Sequence, residues 1–104
     1  MNKLRVGICG WGNVATGLFK TLQTNSVEIK KRSNLEIEII AIGARRDNPK
    51  CDPGNVIIER DIFKIIDHDI DVIVELIGGV DVARDLILKA LNAKKHVVTA
   101  NKAV

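Results

Sequence analysis

The sequence is poor in the residues that build covalent, metal-linked or base-stacking frameworks. Its 104 residues include two cysteines, two histidines, one tryptophan and no tyrosine. Two cysteines are too few for a disulfide framework, and no CxxC or HxxxH spacing favours a structural zinc site. We therefore expect reduced thiols, a cytoplasmic location and no bound metal.

Long apolar runs and strong charge of one sign are also missing. The longest uncharged apolar stretch, residues 39–44, is far shorter than the ~18 residues that a membrane span needs. The net charge of +3 is mild, and few aromatic side chains are available to stack on bases. We expect no membrane and no nucleic-acid partner.

What is present is the composition of one folded domain. Hydrophobic residues make up 46% and charged residues 28% of the chain, a balance typical of globular domains. The length allows one hydrophobic core. Because a separate substrate or dimerisation domain would not fit, we expect a two-domain enzyme to be represented here only by its first part.

Predicted strands and helices alternate along the chain. Short apolar runs predict strands at residues 4–9, 37–44, 71–77 and 96–100, and a shorter one at 56–58. Helical spacing predicts a helix from Asn13, which Asn25 and Ser26 weaken, and a short helix at residues 62–66. Residues 26–35 are expected to finish or extend the first helix, and residues 45–54 predict a loop.

A last helix is predicted with Asp81 as its N-cap. Its expected apolar face comprises Ala83, Leu86, Ile87, Ala90 and Leu91. Right-handed connections between such strands produce a parallel sheet with helices on both faces. The predicted fold class is therefore α/β, a Rossmann-like doubly wound parallel sheet, with residues 1–104 forming a single domain.

A glycine-rich segment, Gly10-Trp-Gly-Asn-Val-Ala15, joins the first strand to the first helix. Read as GxGxxG/A, Gly10 permits a sharp turn, Gly12 lets the backbone approach a pyrophosphate, and Ala15 lets the helix pack on the strand. The pyrophosphate would lie at the helix N-terminus. The alternative of glycines that serve only packing stays open, whereas a P-loop is disfavoured because Leu18 and Phe19 stand where Lys-Ser/Thr is needed.

The residues after the second strand bear on the choice between NAD and NADP. Arg45 and Arg46 follow this strand, and the first acidic residue, Asp47, comes only after them. A carboxylate at the strand tip would bind the ribose hydroxyls, whereas arginine accommodates a 2′-phosphate. The sequence therefore favours NADP, with NAD use left open, as is the alternative that both arginines are merely solvated.

Two more polar positions stand at the predicted carboxyl edge of the sheet. Glu75 lies in an apolar strand, where an ionised carboxylate needs partners, so we expect it to form structural hydrogen bonds. Asn101 and Lys102 follow the last strand. Position alone makes Lys102 a surface residue.

The chain resembles the N-terminal cofactor domain of homoserine dehydrogenases. The resemblance lies in the glycine segment, in Val74-Glu-Leu-Ile-Gly-Gly79 and especially in His96-Val-Val-Thr-Ala-Asn-Lys-Ala-Val104. It covers essentially the whole chain. Ala15 departs from the third glycine that is common in the family, but alanine is an accepted substitute there.

The resemblance implies NAD(P)-dependent interconversion of L-homoserine and L-aspartate 4-semialdehyde, on the route to threonine and methionine, by a homo-oligomeric full-length enzyme. It also implies roles for individual residues. Those implied to bind the cofactor are Gly10, Trp11, Gly12, Asn13 and Val14 at the pyrophosphate and ribose, Arg45 and Arg46 at the 2′-phosphate, and Ile77, Gly78 and Lys102 at the nicotinamide end.

Lys102 is also implied to be catalytic, holding the substrate oxygen or polarising its carbonyl as hydride arrives. The family's other catalytic lysine and aspartate, its homoserine-binding residues and its metal contacts belong to the later substrate domain. The fragment alone is therefore expected to be inactive.

Two other functions remain as alternatives. A two-domain dehydrogenase of the sugar or inositol type would carry Glu-Lys-Pro where this chain has Thr99-Ala-Asn-Lys102. A non-catalytic NAD(P)-sensing domain would have a fold that is complete after its last helix.

Overall fold

Five parallel strands form one sheet in the computed structural model, which describes residues 2–77 and 81–99. The strands are β1 (Asn2–Cys9), β2 (Leu35–Gly43), β3 (Ile57–Glu59), β4 (Val72–Glu75) and β5 (His96–Thr99). Their order in the sheet is β3-β2-β1-β4-β5, and every neighbouring pair is parallel. The predicted parallel sheet is confirmed.

Helices cover both faces of this sheet. They are α1 (Asn13–Thr24), α2 (Ser26–Ser33) and α3 (Asp81–Asn92), and a 3₁₀ helix spans Ile62–Asp67. Ile8 of β1 packs in a buried cluster with Phe19 of α1, whereas the next residue, Cys9, packs in a second cluster with Leu86 of α3. Because successive strand residues point to opposite faces, α1 and α3 lie on opposite sides of the sheet, as in a doubly wound fold.

The polar region after α1 is more regular than the sequence indicated. A turn at Asn25 ends α1, and a separate helix, α2, follows instead of a continuation. Asn34 ends α2 in the left-handed conformation (φ 54°), and its N–H donates to the Lys30 carbonyl. Asparagine tolerates this conformation better than most residues, so the chain turns there directly into β2.

Two details of α3 differ from the prediction. The helix includes Asp81, so this residue lies in the first turn rather than at the N-cap. The helix dipole stabilises a carboxylate in that turn. Leu91 is 53% exposed, so its predicted place on the apolar face is wrong. The buried stripe runs through Ala83, Leu86 and Ala90 at helical spacing, and the residue after Ala90 is rotated about 100° away from it.

Candidate functional site

A cleft of about 390 Å³ opens at the carboxyl edge of the sheet. It is lined by residues from the loops after β1 (Gly10–Gly12), β2 (Arg45–Pro49) and β4 (Leu76 and Ile77). The connection after β1 crosses one face of the sheet, and the connection after β4 crosses the other. The cleft therefore lies where open α/β sheets bind their ligands, at the reversal of strand order.

Gly10 makes the turn from β1 possible. Its φ is +107°, and a Cβ placed on it would lie 2.9 Å from the Leu76 carbonyl oxygen. Its N–H donates to the Gly43 carbonyl at 2.8 Å, which ties the turn to the end of β2. A side chain at this position would have to displace backbone, so the predicted role of Gly10 in a sharp turn is explained by the geometry.

Gly12 is the N-cap of α1 and faces open space. It has an extended backbone, and a Cβ placed on it would meet no atom of the described residues within 4 Å. Within the described residues no side chain caps the helix, and the first amide to bond back is that of Thr16, which donates to the Gly12 carbonyl at 2.9 Å. Amides earlier in a first turn have no partner inside the helix, so this end of α1 is suited to an anion.

The residues around Gly12 divide between the core and the cleft. The Trp11 ring is buried against Phe19 in an edge-to-face contact, with centroids 5.3 Å apart, so the core holds this side chain. Ala15 is also buried, as the tight packing of α1 on β1 requires. Asn13 and Val14 are exposed in the first turn, and Val14 is 67% exposed, which leaves both accessible to a ligand.

Asn48 joins the loop after β2 to the glycine turn. Its side-chain Nδ2 donates to the Trp11 carbonyl at 3.1 Å, while its Oδ1 accepts from the Lys50 N–H at 3.0 Å. The sequence pattern indicates only a turn here, because an asparagine directly before Pro49 is a turn signal, and it does not reveal the contact with Trp11. The contact fixes the distance between two walls of the cleft.

Arg45 and Arg46 are exposed and line the cleft beside this turn. The Asp47 carboxylate is paired with Arg60, whose Nη1 also donates to the Ala44 carbonyl at 3.2 Å. Arg60 was not expected at the site, because it follows β3 and only the pairing of β3 with β2 brings it there. The acidic residue that follows the two arginines in sequence thus has one carboxylate oxygen paired with a cation.

Glu75 is fully buried at the end of β4. One carboxylate oxygen, Oε2, accepts from the Ile77 N–H at 2.6 Å, and the other, Oε1, accepts from the Thr99 hydroxyl at 2.7 Å. The expected hydrogen-bonding role is confirmed. Beside it, burial raises the pKa of the Cys9 thiol to about 12, with the Glu75 charge adding to the effect.

Of the remaining predicted site residues, one lies in the described part of the chain. Ile77 lines the cleft, whereas Gly78, Asn101 and Lys102 lie outside the described residues. In the described part of the chain no three His, Cys, Asp or Glu side chains are grouped so as to hold a metal ion. None of the helices described there is long and apolar enough to cross a membrane.

The geometry agrees with a match to a known protein family. The sequence model of the family described as "Homoserine dehydrogenase, NAD binding domain" matches residues 10–104. The chain belongs to this family. The homoserine dehydrogenase resemblance seen in the sequence is thereby confirmed, and the NAD-binding assignment agrees with the glycine turn and the open helix end.

Individual homoserine dehydrogenases share both the sequence and the fold. The chain is 51% identical over its whole length to that of Pseudomonas aeruginosa and 41% identical to that of Methylobacillus glycogenes, spanning 24% and 26% of those proteins. The crystal structure of the Staphylococcus aureus enzyme at pH 6.0 superposes with a TM-score of 0.87 at 33% identity, over 100% of this chain and 28% of that one.

The homoserine dehydrogenase structure from Thiobacillus denitrificans also has a TM-score of 0.87, at 37% identity, covering 97% of this chain. The chain thus spans about a quarter of the length of the relatives it matches. It corresponds to the NAD-binding domain of homoserine dehydrogenases.

Proposed function

We propose that this domain binds NADP(H) in preference to NAD(H), as part of a longer enzyme that interconverts L-homoserine and L-aspartate 4-semialdehyde. The observation that carries the proposal is the cleft itself. It brings the open N-terminus of α1, the paired Arg45 and Arg46 and the loop after β4 around one space in a chain of the homoserine dehydrogenase family. The residues fit a dinucleotide because, among residues 2–77 and 81–99, no neighbouring atom lies within 4 Å of a Cβ placed on Gly12.

Each wall of the cleft has a distinct task in this proposal. The pyrophosphate would lie on the amides of Asn13 and Val14, favoured by the helix dipole. Arg45 and Arg46 would neutralise the 2′-phosphate, and arginine is suited to this because its planar donors bind phosphate oxygens in pairs. Asp47 pairs with Arg60 through one carboxylate oxygen, an exposed contact that reduces its competition for the ribose hydroxyls.

The nicotinamide end would lie on the side of β4, along Ile77 and Gly78. When bound, the nicotinamide ring supplies or accepts the hydride. We propose that Lys102 then stabilises the negative charge that develops on the substrate oxygen. The further lysine and aspartate that the resemblance implies would come from the rest of the enzyme, so the 104-residue chain alone would not turn over homoserine.

The same proposal covers the setting of the full-length enzyme. It would be a homo-oligomer in the cytoplasm, acting on small amino-acid substrates. Cys9 and Cys51 are both free and buried, which suits a reducing compartment.

The cofactor preference is tested by calorimetric titration of the 104-residue chain with NADPH and NADH. We expect tighter binding of NADPH, and we expect the double variant Arg45→Ala/Arg46→Ala to lower NADPH affinity about tenfold or more, since charge-assisted hydrogen bonds are lost. The NADH affinity should stay nearly constant. Arg84→Ala, which changes an exposed arginine on α3, is the matched control.

Equal affinities for the two cofactors that do not respond to the double variant would contradict the NADP assignment. Homoserine-dependent formation of NADPH by the 104-residue chain would contradict the proposal that this part is inactive alone.

A further inference from the structure

Burial of the Glu75 carboxylate is unfavourable for folding, so the stability of the domain does not explain why this residue is present. It is fully buried, and within residues 2–77 and 81–99 no cation forms an ion pair with it. Burying an ionised group is unfavourable, and replacing buried charges by apolar side chains of similar volume often leaves a fold as stable or more so. A role beyond holding the core together is therefore expected.

The two hydrogen bonds of Glu75 join the last residue of β5 to a backbone amide just beyond the end of β4. Glu75 forms the last registered pair of β4 with β5, opposite Thr99, and also the last pair of β4 with β1, opposite Cys9. Beyond this level a backbone hydrogen bond joins the chain after β4 to the end of β1, from the Leu76 N–H to the Cys9 carbonyl at 2.9 Å. The carboxylate then links the Ile77 amide, in the wall of the cleft, to the Thr99 hydroxyl, at the end of the strand that leads to Lys102.

The position of this link in the sheet indicates which part of the ligand it serves. Strands β2 and β4 lie on opposite sides of β1, so the loops carrying Arg45 and Ile77 border the cleft from opposite sides. If the arginines bind the 2′-phosphate end, the wall at Ile77 meets the nicotinamide end.

We propose that Glu75 is a positioning residue for the nicotinamide half of the cofactor. It acts through the backbone of Ile77 and the side chain of Thr99, and it does not touch the cofactor itself. This inference rests on the function proposed above, and it adds a residue that serves one half of the ligand and not the other.

The test compares two probes that differ only at that half. One is NADPH, and the other is 2′-phospho-ADP-ribose, which retains both phosphate sites but has no nicotinamide ring. Glu75→Leu introduces an apolar side chain of similar size and removes both acceptors. We expect it to lower NADPH affinity about tenfold while the affinity for 2′-phospho-ADP-ribose stays within about twofold.

Glu75→Gln provides a rescue. Its amide oxygen accepts from the Ile77 N–H, and its NH₂ group donates to the Thr99 oxygen, so both links persist without the charge. We expect this variant to recover most of the NADPH affinity. Glu36→Gln, on the exposed side of β2, is the control and should leave both affinities unchanged.

Thr99→Val removes the Thr99 hydroxyl from the link and keeps the test decisive if Glu75→Leu does not fold. It should lower the NADPH affinity about threefold and spare the second probe. Equal losses for both probes, or no loss for either, would overturn the positioning role. If the unmodified chain binds neither probe, the proposed function itself is wrong, and the inference falls with it.

Discussion

Replacing Gly10 by alanine should cost the domain a large part of its stability. The backbone there has φ +107°, and a left-handed conformation costs a non-glycine residue about 1–2 kcal/mol. The new Cβ would also lie 2.9 Å from the Leu76 oxygen and 3.0 Å from its carbonyl carbon, which are backbone atoms. Overpacking of this kind costs about 1–3 kcal/mol.

The two contributions add to about 2–5 kcal/mol, against a typical domain stability of about 5–15 kcal/mol. Gly12→Ala is the matched comparison, because its Cβ would meet nothing within 4 Å in the described part of the chain and its φ of −89° suits any residue. We expect that change to alter stability by at most about 1 kcal/mol. It should instead lower NADPH affinity by at least about tenfold, since the methyl group would hold a phosphate away from the helix amides.

Urea unfolding measures the first effect, and calorimetric titration measures the second. Trp11 is the single tryptophan and is buried against Phe19, so its fluorescence reports loss of the core around the glycine turn. If Gly10→Ala unfolds at the same urea concentration as the unmodified chain, our account of this turn is wrong. If Gly12→Ala binds NADPH normally, the open space beyond Gly12 is not the phosphate site.

Three further changes test other parts of the structure. Gly17→Ala, in a helix position where a Cβ meets no atom within 4 Å, should stabilise the chain by about 0.5–1 kcal/mol in urea unfolding; a loss would show a hidden contact. Lys94→Gly should also raise stability, by about 1 kcal/mol in urea unfolding. Lys94 follows α3 with φ 61°, a conformation that glycine adopts more readily, and its N–H donates to the Leu91 carbonyl. The control Lys31→Gly places glycine within α2 and should lower stability. Burial raises the pKa of Cys9 from its ordinary value near 9 to about 12, so the stability due to its protonated thiol is complete below about pH 9 and is lost as the pH rises toward 12. In that window the unfolding free energy of the chain should fall relative to Cys9→Ala by about 1.4 kcal/mol per pH unit, and a constant difference would contradict the raised pKa.

The spacing of apolar residues and the positions of glycine and other turn residues predicted most of the fold, because both depend on local interactions. The continuous apolar run of β2 required cover on both faces, and the glycine cluster after β1 marked a turn into a helix. Leu91 shows where this reasoning fails. An apolar residue at the margin of a helical stripe is buried only if a neighbouring element contacts it. The spacing of apolar residues does not show whether such a contact exists.

The sequence predicted which loops contribute to the site, but it did not predict the contacts between those loops. Each of Gly12, Arg45 and Ile77 follows a strand, so sheet topology alone brings them to one edge. The roles of Asn48 and Arg60 could not be predicted, because both residues act through partners that are distant in sequence. These partners are the Trp11 carbonyl and the Asp47 carboxylate. Such pairings depend on the register of β2 with β3 and on the path of a loop, neither of which the residue pattern specifies.

The hydrogen bond from Asn48 to the Trp11 carbonyl has a consequence for the thermodynamics and kinetics of binding. This contact joins the loop that carries the arginines to the glycine turn, which we propose takes the phosphates. If these two segments bind the cofactor as proposed, the contact restrains them relative to each other, and less of the interaction energy is spent on ordering them. Association with a cofactor should proceed in one concentration-dependent phase, without a slower step of loop closure.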